Sequence, residues 1–395
     1  MPPTPQLLTR FLHAQEALYG PITTIPNPST WTPPPKSGGH QGRYLWTDAI
    51  GVLNFLTLHH IHPSPPTPTH YLTLATRLIH TVHTTLGRTR TSPDTHLPGA
   101  SPSHPLSGGL RIGKPSSTGP DSDGQYHHYL TLWMFALNRT SIASGENKWN
   151  DMAVELGRAI HPKFFVGTKR DRMVWKMDVN LQKALVGREG NLDPLDGWVI
   201  FRLVGGLADA KANMNMMKNN HNEKNKEGEG KGNGVLEEEI QDYARVLQRK
   251  GRQRVANDTL DLGMTLWTTH WFAEREEWAE ELVGRAVEGV YDLFEGDRCL
   301  DRDIRLRLAF REFGAAMGIR CVAEQEAEKD RAVDLKVYAD RIVDCWTPYM
   351  MGAEGEEDEL RPITQVMYAS ALIPGAFQRG FFGPEPVIPE RTLYE

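Results

Sequence analysis

Hydrophobic residues along this chain recur with a helical period far more often than they alternate. Residues 274–294 show it best: Trp278, Leu282, Ala286, Val290 and Phe294 stand four apart, Val283, Val287 and Tyr291 widen the stripe, and charged residues fill the other face. Such stripes, read with proline, glycine and capping residues, predict helices near 5–19, 43–60, 67–86, 125–143, 147–160, 194–210, 236–254, 259–272, 274–294, 302–322, 329–347 and 362–373. No comparable run of strict alternation is present, so little or no sheet is expected.

Two kinds of helix alternate. The seventh, ninth and eleventh carry an apolar stripe opposite a strongly charged face, as an outer layer requires. Even-numbered helices such as YLWTDAIGVLNFLTL and YLTLWMFALNR are apolar nearly all round, as a buried inner layer requires. The even helices also open alike, on acidic and aromatic residues: Tyr44, Trp46 and Asp48; Asp123, Gln125, Tyr126, His127 and His128; Asp193, Asp196 and Trp198; Asp258 and Asp261; Asp301 and Asp303. The twelfth opens on Arg361-Pro362-Ile363-Thr364-Gln365. Six alternating pairs predict an all-α (α/α)6 toroid of six helical hairpins, one domain over 1–395. Its inner helices run parallel, so unpaired N–H groups and positive dipole ends converge at one mouth. Such a mouth favours anionic or polyhydroxylated ligands.

Three connections, 20–42, 87–124 and 161–193, are long enough to carry function. Segment 211–234 (KANMNMMKNNHNEKNKEGEGKGNG) is low in apolar content and reads as a disordered insertion within the domain. Lys and Arg number 44 against 50 Asp and Glu, a net charge of -6, which gives no reason to expect nucleic acid or an anionic membrane as partner. The expected partner is a small molecule. Neither a secretory h-region nor a membrane-spanning run is visible, and Cys299, Cys321 and Cys345 show no CxxC spacing, so a cytoplasmic address is expected. Gly108 to Lys114 nearly spells a phosphate-binding loop, but Pro115 stands where a hydroxyl is needed. No cofactor and no metal site is expected.

Several blocks carry a resemblance: LSGGLRIGK, DSDGQYHHYLTLWMFALNR, MDVNLQKALVGREGNLDPLDGW, RLAFREFGAAMGI and PITQVMYASALIPGAF. They look like segments of the six-hairpin glycosidase superfamily, across residues 40–380 less the insertion. The resemblance implies a toroid with a cleft at one end, where aromatic rings stack on sugars and carboxylates do acid–base work. That superfamily also holds epimerases that use histidines. No catalytic motif of one characterised family maps onto these residues, so the resemblance assigns a fold and not a reaction.

The candidate catalytic residues are Asp123, Asp196, Asp178 and His128. Glycoside hydrolysis needs one protonated carboxyl and one ionised carboxylate about the bond, and Asp123 with Asp196 is the expected pair, Asp178 and Asp48 standing by. His127 and His128 point about 100° apart on a helix, so one of them should face the mouth and move protons near neutral pH. Substrate-binding candidates are Asp48, Tyr44, Trp46, Arg111, Lys114, Gln125, Tyr126, Trp175, Trp198 and Asp303. Rings stack on sugar faces, and Arg111 and Lys114 clamp an anionic group. Each Asp at a helix start also serves simply as a cap. The expected function is a glycosidase-like enzyme acting on a sugar or polyhydroxylated small molecule by Asp/His acid–base chemistry. The alternatives are an isomerase, lyase or cyclase acting on a non-sugar metabolite, and a non-catalytic ligand-binding toroid.

Overall fold

The helix called α2 (Leu45–Ile61) is buried on every face from Leu45 to Leu58, and α4 (His127–Ser144) likewise from Leu130 to Ser141. By contrast α3 (His70–Leu86) buries one stripe only, Tyr71, Leu74, Ala75, Leu78, Ile79, Val82 and Leu86. The difference follows from position. This computed structural model describes the chain except residues 1, 2, 41, 63, 120, 221–233, 252, 253, 324–330, 353–358 and 395. The remaining α-helices among the described residues are α1 (Pro5–Tyr19), α5 (Asn147–Phe164), α6 (Asp193–Asn220), α7 (Glu237–Lys250), α8 (Thr259–Thr269), α9 (Glu277–Tyr291), α10 (Ala309–Ala323), α11 (Arg331–Met351) and α12 (Arg361–Leu372). Contacts run α2 to α4, α6, α8, α10 and α12, and α12 returns to α2, a closed inner ring. Outside it, α3 packs on α2, α5 on α4, α7 on α6, α9 on α8, α11 on α10 and α1 on α12. The fold is an (α/α)6 toroid, with the first helix closing against the last.

The inner helices approach closely where side chains are absent. A Cβ on Gly263 of α8 would stand 2.0 Å from the Gly314 carbonyl oxygen of α10, and one on Gly318 would stand 2.0 Å from the Gly263 carbonyl oxygen. Backbone therefore meets backbone at this seam. Phe135, Trp267, Trp271 and Phe377 meet edge-on or stacked, and all four are buried.

At the C-terminal ends of the inner helices the last segment of the chain crosses the ring. Ala376 N–H donates to Thr57 Oγ1 (3.0 Å), and Arg139 Nη1 donates to Glu385 Oε1 and Oε2 (2.8 and 2.9 Å). Arg202 donates to Glu276 Oε2 (2.8 Å) and to the Pro389 carbonyl (2.9 Å). That end is shut, so the opposite end is a basin.

Two expectations about element boundaries are corrected. The tenth helix begins at Ala309, not near 302: Asp303 caps a short 3-10 turn (Ile304–Leu306) by accepting the Arg305 N–H (3.0 Å), a local bond that competes with the helix. The sixth helix runs on to Asn220, so residues 211–220 of the segment expected to be disordered continue it. Lysine, alanine and methionine there are good helix formers, and Lys211 Nζ donates to Ser141 Oγ (2.7 Å). Residues 221–233 lie outside the described residues.

Among the described residues sheet is limited to two ribbons. β1 (Gln125–Tyr126) pairs antiparallel with β4 (Lys176–Met177), and β2 (Phe165–Val166) with β3 (Arg172–Met173). They pin the long loop after α5 against the start of α4, where His127 N–H donates to the Trp175 carbonyl (3.0 Å). No helix among the described residues is long and apolar enough to cross a membrane.

Candidate functional site

At the N-terminal ends of the inner helices lies a cavity of about 500 Å3. Its walls come from the starts of α2 (Tyr44, Trp46), α4 (His128, Tyr129), α8 (Asp261), α10 (Phe310, Arg311) and α12 (Ile363). The loops add His40, Lys114, Asp121 and Glu359. One wall is aromatic. The Tyr44 and Tyr129 hydroxyls are 2.6 Å apart, the Trp46 and His128 rings 5.5 Å, and the His40 and Tyr44 rings 4.5 Å. Tyr44 stands there because the chain enters α2 extended, with no side-chain cap turning it away.

Successive helical residues point in different directions, and this separates the two histidines. His128 faces the basin with its side chain 30% exposed, while His127 is fully buried. Asp193, at the start of α6, lies behind both: its Oδ1 is 3.6 Å from His127 Nδ1 and 3.6 Å from His128 Nδ1. On the far side, His127 Nε2 lies 2.7 Å from the Tyr243 hydroxyl of α7. Burial pulls His127 down to about 4 against the attraction of Asp193, so its imidazole is neutral at pH 7. For Asp193 burial pushes upward, but the polar contact with His128 first, and then His127, outweigh it and hold the carboxyl below its usual range.

Two further carboxyls crowd this point. Asp196 is buried, and burial together with Asp193 and Asp261 pushes it well above the ordinary carboxylate range. Asp261, in the first turn of α8, is raised by burial and by Asp258, although Arg311 and His128 oppose the shift. The arrangement sets an imidazole beside a carboxyl held below its usual range and near two carboxyls pushed above theirs. Groups pushed apart in this way divide the roles of acid and base.

Of the residues expected from sequence, Tyr44, Trp46, Lys114 and His128 line the basin, and Asp196 lies in the carboxyl cluster coupled to it. The others serve different purposes. Asp123 is corrected first, because both its oxygens are engaged. Oδ2 accepts from Arg90 Nη1 (2.8 Å) and Arg111 Nη1 (3.1 Å), and Oδ1 from the N–H groups of Gly113 (2.9 Å), Lys114 (3.2 Å) and Gly124 (3.1 Å). It organises the 87–124 loop and is absent from the lining of the basin. Arg111 is spent on the same nest, also donating to the Arg88 carbonyl (3.2 Å). Gln125 knits the loop by accepting from Leu110 N–H (3.0 Å) and donating to the carbonyls of Gly108 (2.9 Å) and Val179 (2.8 Å). Asp178 closes a turn by accepting from the N–H groups of Gln182 (2.7 Å) and Lys183 (3.1 Å).

Asp48 is fully buried against Arg43 (3.1 Å), and burial pushes it up to about 6 even so. Tyr126 and Trp175 pack edge to face (5.2 Å) behind the aromatic wall, with Lys176 Nζ 4.9 Å from the Tyr126 ring centre. Trp198 points the other way, under the Arg202 guanidinium (4.9 Å), and lines a separate groove against α7, α9 and the C-terminal segment. Asp303 is exposed and paired with Arg305 (2.6 Å), outside the basin.

Sequence reasoning passed over Asp193, Asp261, Tyr129, Tyr243 and Arg311. The signal that could have found Asp193 and Asp261 was already present: each starts an even-numbered helix, and each was explained as a cap. In fact only Asp258 caps α8, accepting from the N–H groups of Leu260 (3.0 Å) and Asp261 (3.2 Å), which leaves Asp261 free of that duty. Among the described residues no group of three His, Cys, Asp or Glu side chains is placed to hold a metal ion.

No protein-family model matches the chain, and no curated protein sequence matches it. Solved structures do. The chain is similar to a family 76 glycoside hydrolase from a bovine Bacteroides thetaiotaomicron strain, at 12% identity over 93% of this chain and 77% of that one, with a TM-score of 0.50. It is also similar to a sugar epimerase from a ruminal bacterium, at 10% identity over 92% of this chain and 98% of that one, with a TM-score of 0.47. At these identities the likeness is one of fold.

Proposed function

We propose that this chain is an enzyme acting on a sugar or sugar-like polyhydroxylated small molecule by acid–base chemistry in the basin at the inner-helix N-termini. The observation that carries the reading is the placement of His128, backed by Asp193, in the same 500 Å3 cavity as Asp261. His128 takes up a proton from the substrate or from a water. Asp261, kept toward its protonated form by burial, gives one up. Tyr44, Trp46 and Tyr129 offer ring faces and hydroxyls that suit the mixed apolar and polar faces of a sugar. Lys114 and Arg311 stand at the same wall, paired with Asp121 and Asp258, so a substrate that carries an acidic group would share these cations with the carboxylates. The fold it shares with a family 76 glycoside hydrolase is compatible with this use. A cytoplasmic setting is proposed with it, since Cys299 and Cys345 are free thiols.

A second reading, isomerisation or epimerisation, is favoured by one particular feature: two histidines, His40 and His128, line the same cavity. One experiment separates the two. The protein is incubated in D2O with aryl glycosides, with and without a uronic acid group, and with the corresponding free sugars. Release of the aglycone means hydrolysis, and deuterium on a sugar carbon means isomerisation or epimerisation. Turnover that survives intact in both His128→Gln and Asp261→Asn would remove the basin from the chemistry.

A further inference from the structure

The basin histidine is not held by the basin. Its support comes from behind, through a file of buried groups that crosses from the inner ring to the outer one. Asp193 Oδ1 stands 3.6 Å from the Nδ1 atoms of both histidines, and His127 Nε2 stands 2.7 Å from the Tyr243 hydroxyl. Tyr243 is wholly buried, and its ring meets His127, His161, Phe165 and Phe201. It reaches this place because position 197 is a glycine: a Cβ on Gly197 would stand 2.1 Å from Tyr243 Cε1. The first turn of α6 is thus cut away on the face where the tyrosine of α7 lies.

We infer that Tyr243, His127 and Asp193 form a positioning relay that holds the His128 ring with Nδ1–H toward the carboxylate and Nε2 toward the basin. The inference rests on the reading of His128 as the proton-transfer group and says how that group is set. Hydrogen-bonding roles fix the order. Tyr243 is a phenol deep among apolar rings, so its O–H donates to His127 Nε2. His127 then carries its proton on Nδ1, the nitrogen that faces Asp193. A carboxylate accepts only, so the His128 nitrogen facing it also carries a proton. Nε2 of His128 is left as the bare nitrogen, the one that takes a proton from a substrate. The charged and titratable groups around His128 include Asp193 from α6, Asp261 from α8, His127 and Tyr129 of its own helix and Tyr126 just before it. Tyr243, His127 and Asp193 lie outside the lining of the basin and do not touch substrate, so they are positioning residues.

At 3.6 Å the two carboxylate contacts are longer than a full hydrogen bond. Asp193 therefore sits between two imidazoles. The neighbour it must lean toward for catalysis is His128, and Tyr243 fixes the other one.

The test is a spectroscopic one that needs no substrate. The full chain is labelled with 15N-histidine, the His128 signals are assigned by their loss in His128→Gln, and the ring nitrogens are read at pH 8. The expected result is a protonated, pyrrole-like Nδ1 and a bare, pyridine-like Nε2 on His128. In Asp193→Asn the proton should move to Nε2, and in Tyr243→Phe His128 should show a mixture of both tautomers. His128 found with its proton on Nε2 in the unaltered protein, or left unchanged by either substitution, overturns the relay. Should Asp193→Asn not fold, Tyr243→Phe decides alone, since it removes one oxygen and keeps the ring that packs. A failed relay and a failed function are distinguishable, because turnover by His128→Gln is judged in its own assay.

Discussion

The two ends of the toroid treat buried charge in opposite ways. At the shut end Arg139 meets Glu385 in a two-pronged pair, and Arg202 meets Glu276, with Trp278 Nε1 donating to the same carboxylate. At the open end Asp193, Asp196 and Asp261 crowd together, with imidazoles beside Asp193 and with Arg311 and His128 beside Asp261 as relief. A buried pair with good geometry is neutral to stability while it stays whole, whereas a crowd of like charges is costly and persists only where something else maintains it. One end is built to stay shut and the other to hold protons in unequal places.

Acid should break the comparison by attacking both ends at once, with the largest effect. His127 at the open end, His270 near the shut end and His83 between inner and outer layers are all buried neutral, pulled by desolvation to about 4, 3 and 3. A depressed histidine contributes stability that is whole above its unfolded value near 6.5 and is lost as pH falls toward the folded value. Each should cost on the order of 2 kcal/mol by pH 5. Asp48 acts with the opposite sign, since a carboxyl raised to about 6 favours the fold more as pH falls from 6 to 4. Asp196 and Asp261, also raised, act with it, and these three carboxyls offset part of what the four buried imidazoles, His161 among them, lose. Thermal unfolding followed between pH 7.5 and 4.5 should show a steady fall in midpoint; a flat profile would refute the assignment of neutral buried imidazoles.

Breaking a pair at the shut end should come next. Arg202→Met leaves Glu276 buried without its cation and should cost about 3–5 kcal/mol in urea unfolding. Asp123→Asn, in the loop nest, should cost about 2 kcal/mol and speed proteolysis within 87–122, because charged hydrogen bonds from Arg90 and Arg111 are weakened. The smallest effect should reverse sign. Asp196→Asn keeps the shape and relieves a carboxyl crowded by Asp193 and Asp261, so stability should hold or rise by up to about 1 kcal/mol, more at pH 8 than at pH 5. A loss as large as that of Arg202→Met would erase the distinction between the two ends.

Much of the ring was legible in the sequence, because the difference between a stripe and an all-round apolar helix is a property of periodicity alone. That is why α2 and α4 were separable from α7 and α9 before any coordinates. The start of α10 was not legible: Asp303 reads as a first-turn acid in either register, and only its bond to the Arg305 N–H shows that it starts a different turn. Trp198 failed for a related reason. A tryptophan in the first turns of an inner helix can face inward or outward, and Arg202, one turn on, draws it outward. Asp123 looked catalytic because it stands beside Tyr126 and His128, yet the cations that saturate it come from positions 90 and 111, and sequence gives no direction to a long loop. Of the two histidines it is His128 that faces the basin. What separates it from His127 is α6, whose Asp193 reaches both from behind, and α7, whose Tyr243 occupies His127 alone.

The claim on which the functional account rests is that chemistry takes place at His128 in the basin. The direct measurement is turnover of the glycoside and free-sugar panel in D2O by the unaltered protein, His128→Gln and Asp303→Asn, with folding of each checked by thermal unfolding. The account expects His128→Gln to lose about 100-fold or more in rate, and Asp303→Asn, outside the basin, to keep the rate of the unaltered protein. A folded His128→Gln protein that turns the same sugar over at full speed would contradict it.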